Sequence, residues 1–186
     1  YYNFLIPFFV TNSSLQSMDF ANEFADLAVG DAWSPEYEAL GQGFSLIVSR
    51  NEEMDHILNK MKETGLLELI PKDKEDAGSM HGHMIDFKKR GSYIRNRFRV
   101  FFGKKAPDFG YKPSKIAFSR ILVEVFIILV FSLGKTKLFR SVLYIIPEKK
   151  LGQIFNFTRL KWKNISKPVK RKGLKNFSVN INKYKV

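Results

Sequence analysis

Charge is divided unevenly along this chain. Residues 1–86 contain 5 Lys and Arg against 15 Asp and Glu, whereas residues 87–186 contain 26 against 3. The net charge of +13 is therefore the sum of an acidic half and a strongly basic half. Any account of the fold has to explain two halves of opposite charge. The excess of Lys and Arg in the second half favours an anionic partner.

The composition predicts a folded chain without disulfide bonds. Of the 186 residues 45% are hydrophobic, with 18 Phe, which is enough for a sizeable core and excludes a disordered chain. There is no Cys, which excludes disulfides and thiolate metal sites.

The longest apolar stretch is too short to span a membrane. Ile121 to Leu133 contains thirteen residues and is interrupted by Glu124 and Ser132, whereas a spanning helix needs roughly 20. We expect a buried helix, with a membrane-surface helix as the second reading. No signal peptide is visible and the chain lacks an initiator Met, so we expect a segment of a longer cytoplasmic protein, with a peripheral membrane location left open.

The acidic half predicts an α/β fold (α+β is the alternative) with a small mixed sheet and flanking helices. Phe24–Val29 and Phe44–Ser49 have strand composition. Asn51 is a candidate N-cap for a helix that ends near Gly65, and Leu66–Ile70 resumes extended structure. Strand, helix and strand in this order indicate a βαβ unit.

The basic half predicts a helical extension. Helices are expected over Met84–Phe102, Lys115–Leu133 and about Glu148–Asn164, and the tail from Ser166 is expected to be partly ordered.

Three short segments resemble one known family. Ser14–Phe20 reads S-L-Q-S-M-D-F, Asn22–Asp31 reads N-E-F-A-D-L-A-V-G-D, and Gly43–Arg50 reads G-F-S-L-I-V-S-R. Together they resemble the signature of the C-terminal domain of the coenzyme F420 hydrogenase/dehydrogenase beta-subunit family. The resemblance is strong over residues 11–70 and looser over 86–113, where it is similar to archaeal members.

The resemblance implies an oxidoreductase. Members of this family use FAD to pass a hydride or electrons between coenzyme F420 and iron–sulfur clusters, so it implies an FAD-dependent module that works with other redox subunits. We expect residues 1–113 to form the family's C-terminal domain, with its N-terminal domain ahead of Tyr1, and residues 114–186 to form the basic extension.

This sequence departs from the family at two positions. Ser14 and Ser17 stand where the family has the cysteines of a Cys-x-x-Cys pair. A hydroxyl is a much poorer iron ligand than a thiolate, so no 4Fe-4S cluster is expected on this chain, either through engineering or through natural loss.

Eight residues are candidates for cofactor binding. Gly30 and Asp31 follow an apolar run, where an open α/β sheet presents ligands, although an ordinary turn fits the same residues. Asp26 equally fits a role in bracing the strand, and Arg50 equally fits an ion pair with the following glutamates. The full set is Asp19, Asn22, Asp26, Gly30, Asp31, Gly43, Ser45 and Arg50. No catalytic acid or base is assigned, because hydride transfer is the chemistry of the flavin.

Two further groups invite functional readings. His81 and His83 share a face only on a strand, so a metal site is not expected there. Four arginines alternate with aromatics in the helix expected over Met84–Phe102. They suit the phosphate and polyglutamate tail of coenzyme F420. Nucleic acid would be bound by the same chemistry, but the sequence contains no recognisable nucleic-acid-binding module. Alternatively, the arginines form a solvated face and the aromatics are buried. These arginines are Arg90, Arg95, Arg97 and Arg99.

A second class of function remains open. The basic half, with Trp162 in an amphipathic segment, also fits a non-enzymatic module that docks on an anionic membrane or an acidic partner subunit.

Overall fold

The computed structural model describes residues 5–41, 43–113, 116–172 and 179–181. In these residues, helices predominate and two small antiparallel sheets accompany them. The predicted class, α/β with a small sheet and flanking helices, is confirmed.

The acidic half is built around a β-hairpin. Its elements are α1 (Ile6–Phe9), α2 (Asn12–Gln16), β1 (Leu27–Asp31), α3 (Pro35–Ala39), β2 (Ser45–Ser49) and α4 (Glu52–Glu63). Strands β1 and β2 pair antiparallel, with Leu27 opposite Ser49 and Asp31 opposite Ser45. The hairpin therefore has two ends, which a strand length of five residues separates by about 14 Å.

The predicted parallel βαβ unit is wrong. Helix α4 forms as predicted, and the side chain of Asn51 accepts a hydrogen bond from the backbone N–H of Met54 at 2.8 Å. Leu66 and Leu67, however, both donate their backbone N–H groups to the carbonyl of Met61. These bonds close the C-terminal end of α4 and engage the first donors of the following segment, which forms no strand.

The basic half is helical, as predicted. It continues with α5 (Lys74–Met80), α6 (Gly82–Asp86), a π-helical turn (Phe87–Gly91), α7 (Ser92–Phe101), β3 (Tyr111–Pro113), α8 (Phe118–Gly134), α9 (Lys137–Arg140), α10 (Val142–Ile145), α11 (Glu148–Lys172) and β4 (Val179–Ile181). Helix α11 runs beyond the predicted end at Asn164, and β4 pairs antiparallel with β3. The predicted tail lies partly outside the described residues, as does the side chain of Trp162.

Residues 82–101 act as one central helix, formed by α6, the π turn and α7. Helices α2 and α8 pack against α7, whereas α11 packs against α5 and α6. The buried apolar side chains include Leu15, Met80 and Ile94. The central helix is therefore the element around which the other helices assemble.

Helix α8 does not have the burial that its apolar sequence predicts. Its exposed face is an apolar row, the α8 stripe, consisting of Phe118, Leu122, Phe126, Leu129 and Leu133. Glu124, which interrupts the apolar run, is 0% exposed, and Arg120 is 3% exposed. The prediction of a buried apolar helix is wrong, because the buried face of α8 is committed to ion pairs. Among the helices described, none combines the length and apolarity needed to cross a bilayer.

Candidate functional site

One end of the hairpin gathers four of the eight candidate residues. Asp31 pairs with Ser45 across the strands and Gly30 pairs with Leu46, while Gly43 lies two residues before Ser45. Asp31 and Ser45 are exposed. A Cβ added to Gly30 or Gly43 would meet no atom within 4 Å, so this end is open on both strands.

His81 holds this end of the hairpin to the start of the central helix. Its Nε2 lies 2.9 Å from the backbone carbonyl of Asp31, and its ring lies 5.4 Å from that of Phe20. A carbonyl only accepts hydrogen bonds, so Nε2 carries the proton. Burial lowers the pKa of His81 below 6.5, and the Asp31 carbonyl and carboxylate oppose this shift only in part. The imidazole is therefore neutral at pH 7.

The other four candidates lie at the opposite end of the hairpin. Arg50 donates to the carbonyls of Ala21 and Ala25 at 2.6 and 2.9 Å. Asp26 accepts from the side-chain amide of Asn51 at 2.7 Å, which is the bracing role left open by the sequence. Arg50 thus binds the loop carbonyls, and no ion pair between Arg50 and Glu52 or Glu53 is found in the described part of the chain.

Asp19 and Asn22 complete that end by shaping the loop before β1. Asp19 accepts from the backbone N–H of Glu23 at 3.1 Å. Asn22 has φ of 51°, a left-handed conformation that Asn adopts more readily than most residues. The structure therefore divides the predicted site into an open end and a braced end.

Ser14 lies within α2 and Ser17 is its C-cap, and the central helix binds this end of α2. Lys88 Nζ donates to the carbonyl of Ser14 at 2.7 Å, Arg95 Nε to that of Leu15 at 2.7 Å, and Asn96 to that of Gln16 at 3.1 Å. The single hydroxyl proton of Ser92 serves either Leu15 or Ser17, whose carbonyls lie 3.0 and 2.8 Å away. Side chains thus satisfy the carbonyls that α2 leaves without helical partners.

The residues at these two positions do not fit an iron–sulfur cluster. The hydroxyl of Ser14 lies 3.4 Å from Lys88 Nζ, and that of Ser17 accepts from the backbone N–H of Asp19 at 3.3 Å. Burial, and then the charge of Arg95, lowers the pKa of Lys88. The chain has no Cys and supplies no thiolate, so no chemistry is assigned to a cluster here.

A buried ion-pair cluster joins the central helix to α8, and sequence reasoning missed it. Asp86 accepts from Arg90 Nε at 2.6 Å and from Arg120 Nε at 2.8 Å. Glu124 accepts from Arg95 Nη1 and, at 2.5 Å, from Arg120 Nη1. The signal was present in the sequence, since Arg120 and Glu124 stand one helical turn apart near or within an apolar run.

Electrostatics keeps this ion-pair cluster charged. Burial lowers the pKa of Arg95, although Glu124 opposes the shift. For Arg120 the burial effect is outweighed by Glu124 and Asp86, so its pKa is raised. Arginine remains protonated in proteins, and each carboxylate receives two charge-assisted hydrogen bonds.

The arginines of the central helix do not form the anion-binding row that the sequence suggests. Arg95 is buried in the ion-pair cluster and Arg90 pairs with Asp86, so neither stands in one exposed row with Arg97 and Arg99. The alternative reading is also corrected, because Phe101 and Phe102 are exposed and do not enter the core. In the parts of the chain described, no group of three or more His, Cys, Asp or Glu residues could hold a metal ion.

A cleft of about 330 Å³ lies away from the hairpin, between α2, α7 and α8. Leu15, Phe98 and Ile128 are among the apolar residues that line it. Its basic lining residues include Arg99, Lys104 and Lys135.

Comparison with known proteins supports the resemblance found in the sequence. Residues 10–75 match the family model for the C terminus of the beta subunit of coenzyme F420 hydrogenase/dehydrogenase. This segment is about a third of the chain and contains the whole hairpin. No curated protein and no solved structure shows a significant match to this chain.

Proposed function

We propose that this chain is the FAD-dependent module of a coenzyme F420 oxidoreductase, acting in hydride or electron transfer. The family match over residues 10–75 carries this proposal, because that segment includes the open end of the hairpin. The family is described as part of a beta subunit, which implies work with other subunits in a redox complex.

The open end of the hairpin offers groups that suit a flavin. The exposed carboxylate of Asp31 would accept a hydrogen bond from a ribityl or ribose hydroxyl, and the hydroxyl of Ser45 would contact the same region. The empty space at Gly30 and Gly43 allows a planar ring to approach the backbone. His81 holds the Asp31 backbone in place through its Nε2–H.

The braced end has a supporting role in this proposal. Asp26 and Arg50 hold the loop before β1 against the start of α4, and this orients the strand that leads to Asp31. When bound, FAD would supply the chemistry of hydride acceptance from coenzyme F420, while the protein supplies position and electrostatics. The onward acceptor would belong to another subunit, since this chain has no thiolate.

A flavin titration tests the proposal. The purified chain should quench FAD fluorescence on binding. Asp31→Asn and Ser45→Ala should each weaken binding by about tenfold, which is the loss expected for one hydrogen bond. Reduced coenzyme F420 should then bleach the bound flavin.

The matched control is Asp55→Asn, which removes an exposed carboxylate from α4 and should leave FAD affinity unchanged. Absence of quenching by the unmodified chain would contradict the proposal. Equal affinities for all variants would contradict the assignment of the open end.

A further inference from the structure

The exposed face of α8 has an unusual composition. Its large exposed side chains are the five residues of the α8 stripe, of which Phe118 is 72% exposed. The charged residues of α8, Arg120 and Glu124, lie on the opposite, buried side. An apolar row of this length on a protein surface marks an interaction site.

The end of α7 extends this apolar surface. Val100, Phe101 and Phe102 are all more than half exposed, with Phe101 at 80%, and the two Phe rings meet edge to face at 5.3 Å. Phe102 and Leu129 line the same cleft, so the α7 end and the α8 stripe are adjacent.

Cations surround the point where the two surfaces meet. Arg99, Lys104 and Lys135 line the same cleft, and in the described residues none of the three forms an ion pair with a carboxylate. Burial, and then the charge of Arg99, lowers the pKa of Lys135, as expected for two cations placed close together.

The composition of the following segment favours a lipid surface over a protein partner. Residues 125–172 contain 12 Lys and Arg, of which 9 are Lys, against one acidic residue, Glu148. Lys is depleted at protein–protein interfaces, whereas helices that lie on membranes combine Lys and Arg with Phe, Leu and Trp. On α11 this pattern is visible at Lys161, whose ammonium lies 4.4 Å from the centre of the exposed Phe157 ring.

We propose that this chain binds the surface of an anionic membrane through the end of α7 and the α8 stripe. Phe101, Phe102 and the stripe enter the boundary between headgroups and acyl chains, while Arg99, Lys104 and Lys135 meet the lipid phosphates. This inference goes beyond the proposed redox function and does not depend on it.

Vesicle flotation tests the proposal with the 186-residue chain. It should float with phosphatidylcholine vesicles that contain phosphatidylglycerol, but not with pure phosphatidylcholine vesicles, and high salt should release it. The double variant Phe101→Ser/Leu129→Ser should weaken binding about tenfold or more, because both side chains are exposed and lose their burial in lipid. The double variant Lys104→Gln/Lys135→Gln should weaken binding by roughly fivefold for each cation removed.

Matched controls use exposed residues elsewhere. Leu66→Ser removes an apolar side chain that is 70% exposed, and Lys60→Gln/Lys62→Gln removes two cations from α4. Both controls should float like the unmodified chain, and circular dichroism should show that every variant is folded.

Failure to float with anionic vesicles at low salt would overturn the proposal, as would equal flotation of the test and control variants. The same Phe101→Ser/Leu129→Ser chain is also measured by sedimentation velocity. If the substitutions abolish self-association and leave flotation unchanged, the surface binds a second copy of the chain and the lipid proposal is wrong. FAD titration of these variants should be unaffected, which separates failure of this proposal from failure of the redox function.

Discussion

At the scale of single residues, Gly91 shows how one missing side chain permits a buried cluster of charges. A Cβ at this position would lie 2.9 Å from Arg95 Nη1 and 3.0 Å from both Arg120 Nη2 and Glu124 Oε2. The backbone of Gly91 is ordinary helix, with φ of −61°, so glycine is needed here for space and not for conformation. From the sequence alone Gly91 is only a weak point in a predicted helix.

Gly91→Ala should therefore destabilise the protein. We expect a loss of about 2–3 kcal/mol in the free energy of unfolding, because the added methyl crowds buried side chains that ion pairs hold in place. Urea denaturation measures the change.

Gly152→Ala is the matched control, since Gly152 also lies in a helix and its added Cβ would meet no atom within 4 Å. It should stabilise the chain by about 0.5–1 kcal/mol through helix propensity. Similar effects of the two substitutions would show that crowding at Gly91 is not important.

At the scale of elements, the imidazole of His81 connects the hairpin to the central helix. His81 lies between α5 and α6 and donates to the carbonyl of Asp31 at the end of β1. Burial lowers its pKa, so the unfolded chain takes up a proton at His81 at a higher pH than the folded chain does. The stability contributed by neutral His81 is present above about pH 6.5 and is lost as the pH falls toward the lower folded-state pKa.

His81→Gln should remove this pH dependence, because the side-chain amide of Gln keeps a donor for Asp31 but does not titrate. The difference in unfolding free energy between the unmodified chain and the variant should be constant above about pH 7 and should change as the pH falls below the ordinary histidine pKa of about 6.5. Thermal or urea unfolding at a series of pH values gives this difference.

The control for this experiment is His56→Gln, on the exposed surface of α4. It should leave the pH profile as it is in the unmodified chain. A profile for His81→Gln that runs parallel to the unmodified one at every pH would contradict the role of His81.

At the scale of the whole molecule, the two oppositely charged halves meet in the ion-pair cluster. Asp86 is the last acidic residue of the acidic half, and it pairs with Arg120 in the basic half. Glu23 and Lys89 form a further ion pair between the two halves. Residues 125–172 carry 12 Lys and Arg against one acidic residue, which is about half of the excess positive charge of the basic half.

Glu124→Gln tests how much the fold depends on this cluster. Gln cannot neutralise Arg95 and Arg120, which are nearly fully buried, so we expect a loss of about 3–5 kcal/mol in unfolding free energy. The exposed Glu148→Gln is the matched control, with an expected change below about 1 kcal/mol.

A double variant distinguishes loss of the ion pair from general misfolding. Because the charge of Arg120 is costly without Glu124, the double variant Arg120→Met/Glu124→Leu should lose less stability than the sum of the two single changes. Additive losses would show that the two residues act independently.

The sequence by itself determined the local structure and the family-like segment. Asn51 and Gly65 delimit α4 through capping, the apolar periodicity of the basic half specifies its helices, and Ser14–Arg50 carries the family motifs. These features depend on neighbours along the chain, so they are readable from one sequence.

Only the tertiary structure decided the rest, because it depends on which distant residues meet. Antiparallel pairing placed Gly30 and Asp31 beside Ser45, and put Asp26 and Arg50 at the opposite end of the hairpin. Glu124 is buried because it pairs with Arg95 of the central helix. The orientation of α8 that buries this carboxylate exposes the α8 stripe. Burying an unpaired charge costs more free energy than leaving an apolar side chain exposed to water, and this difference sets the orientation of α8.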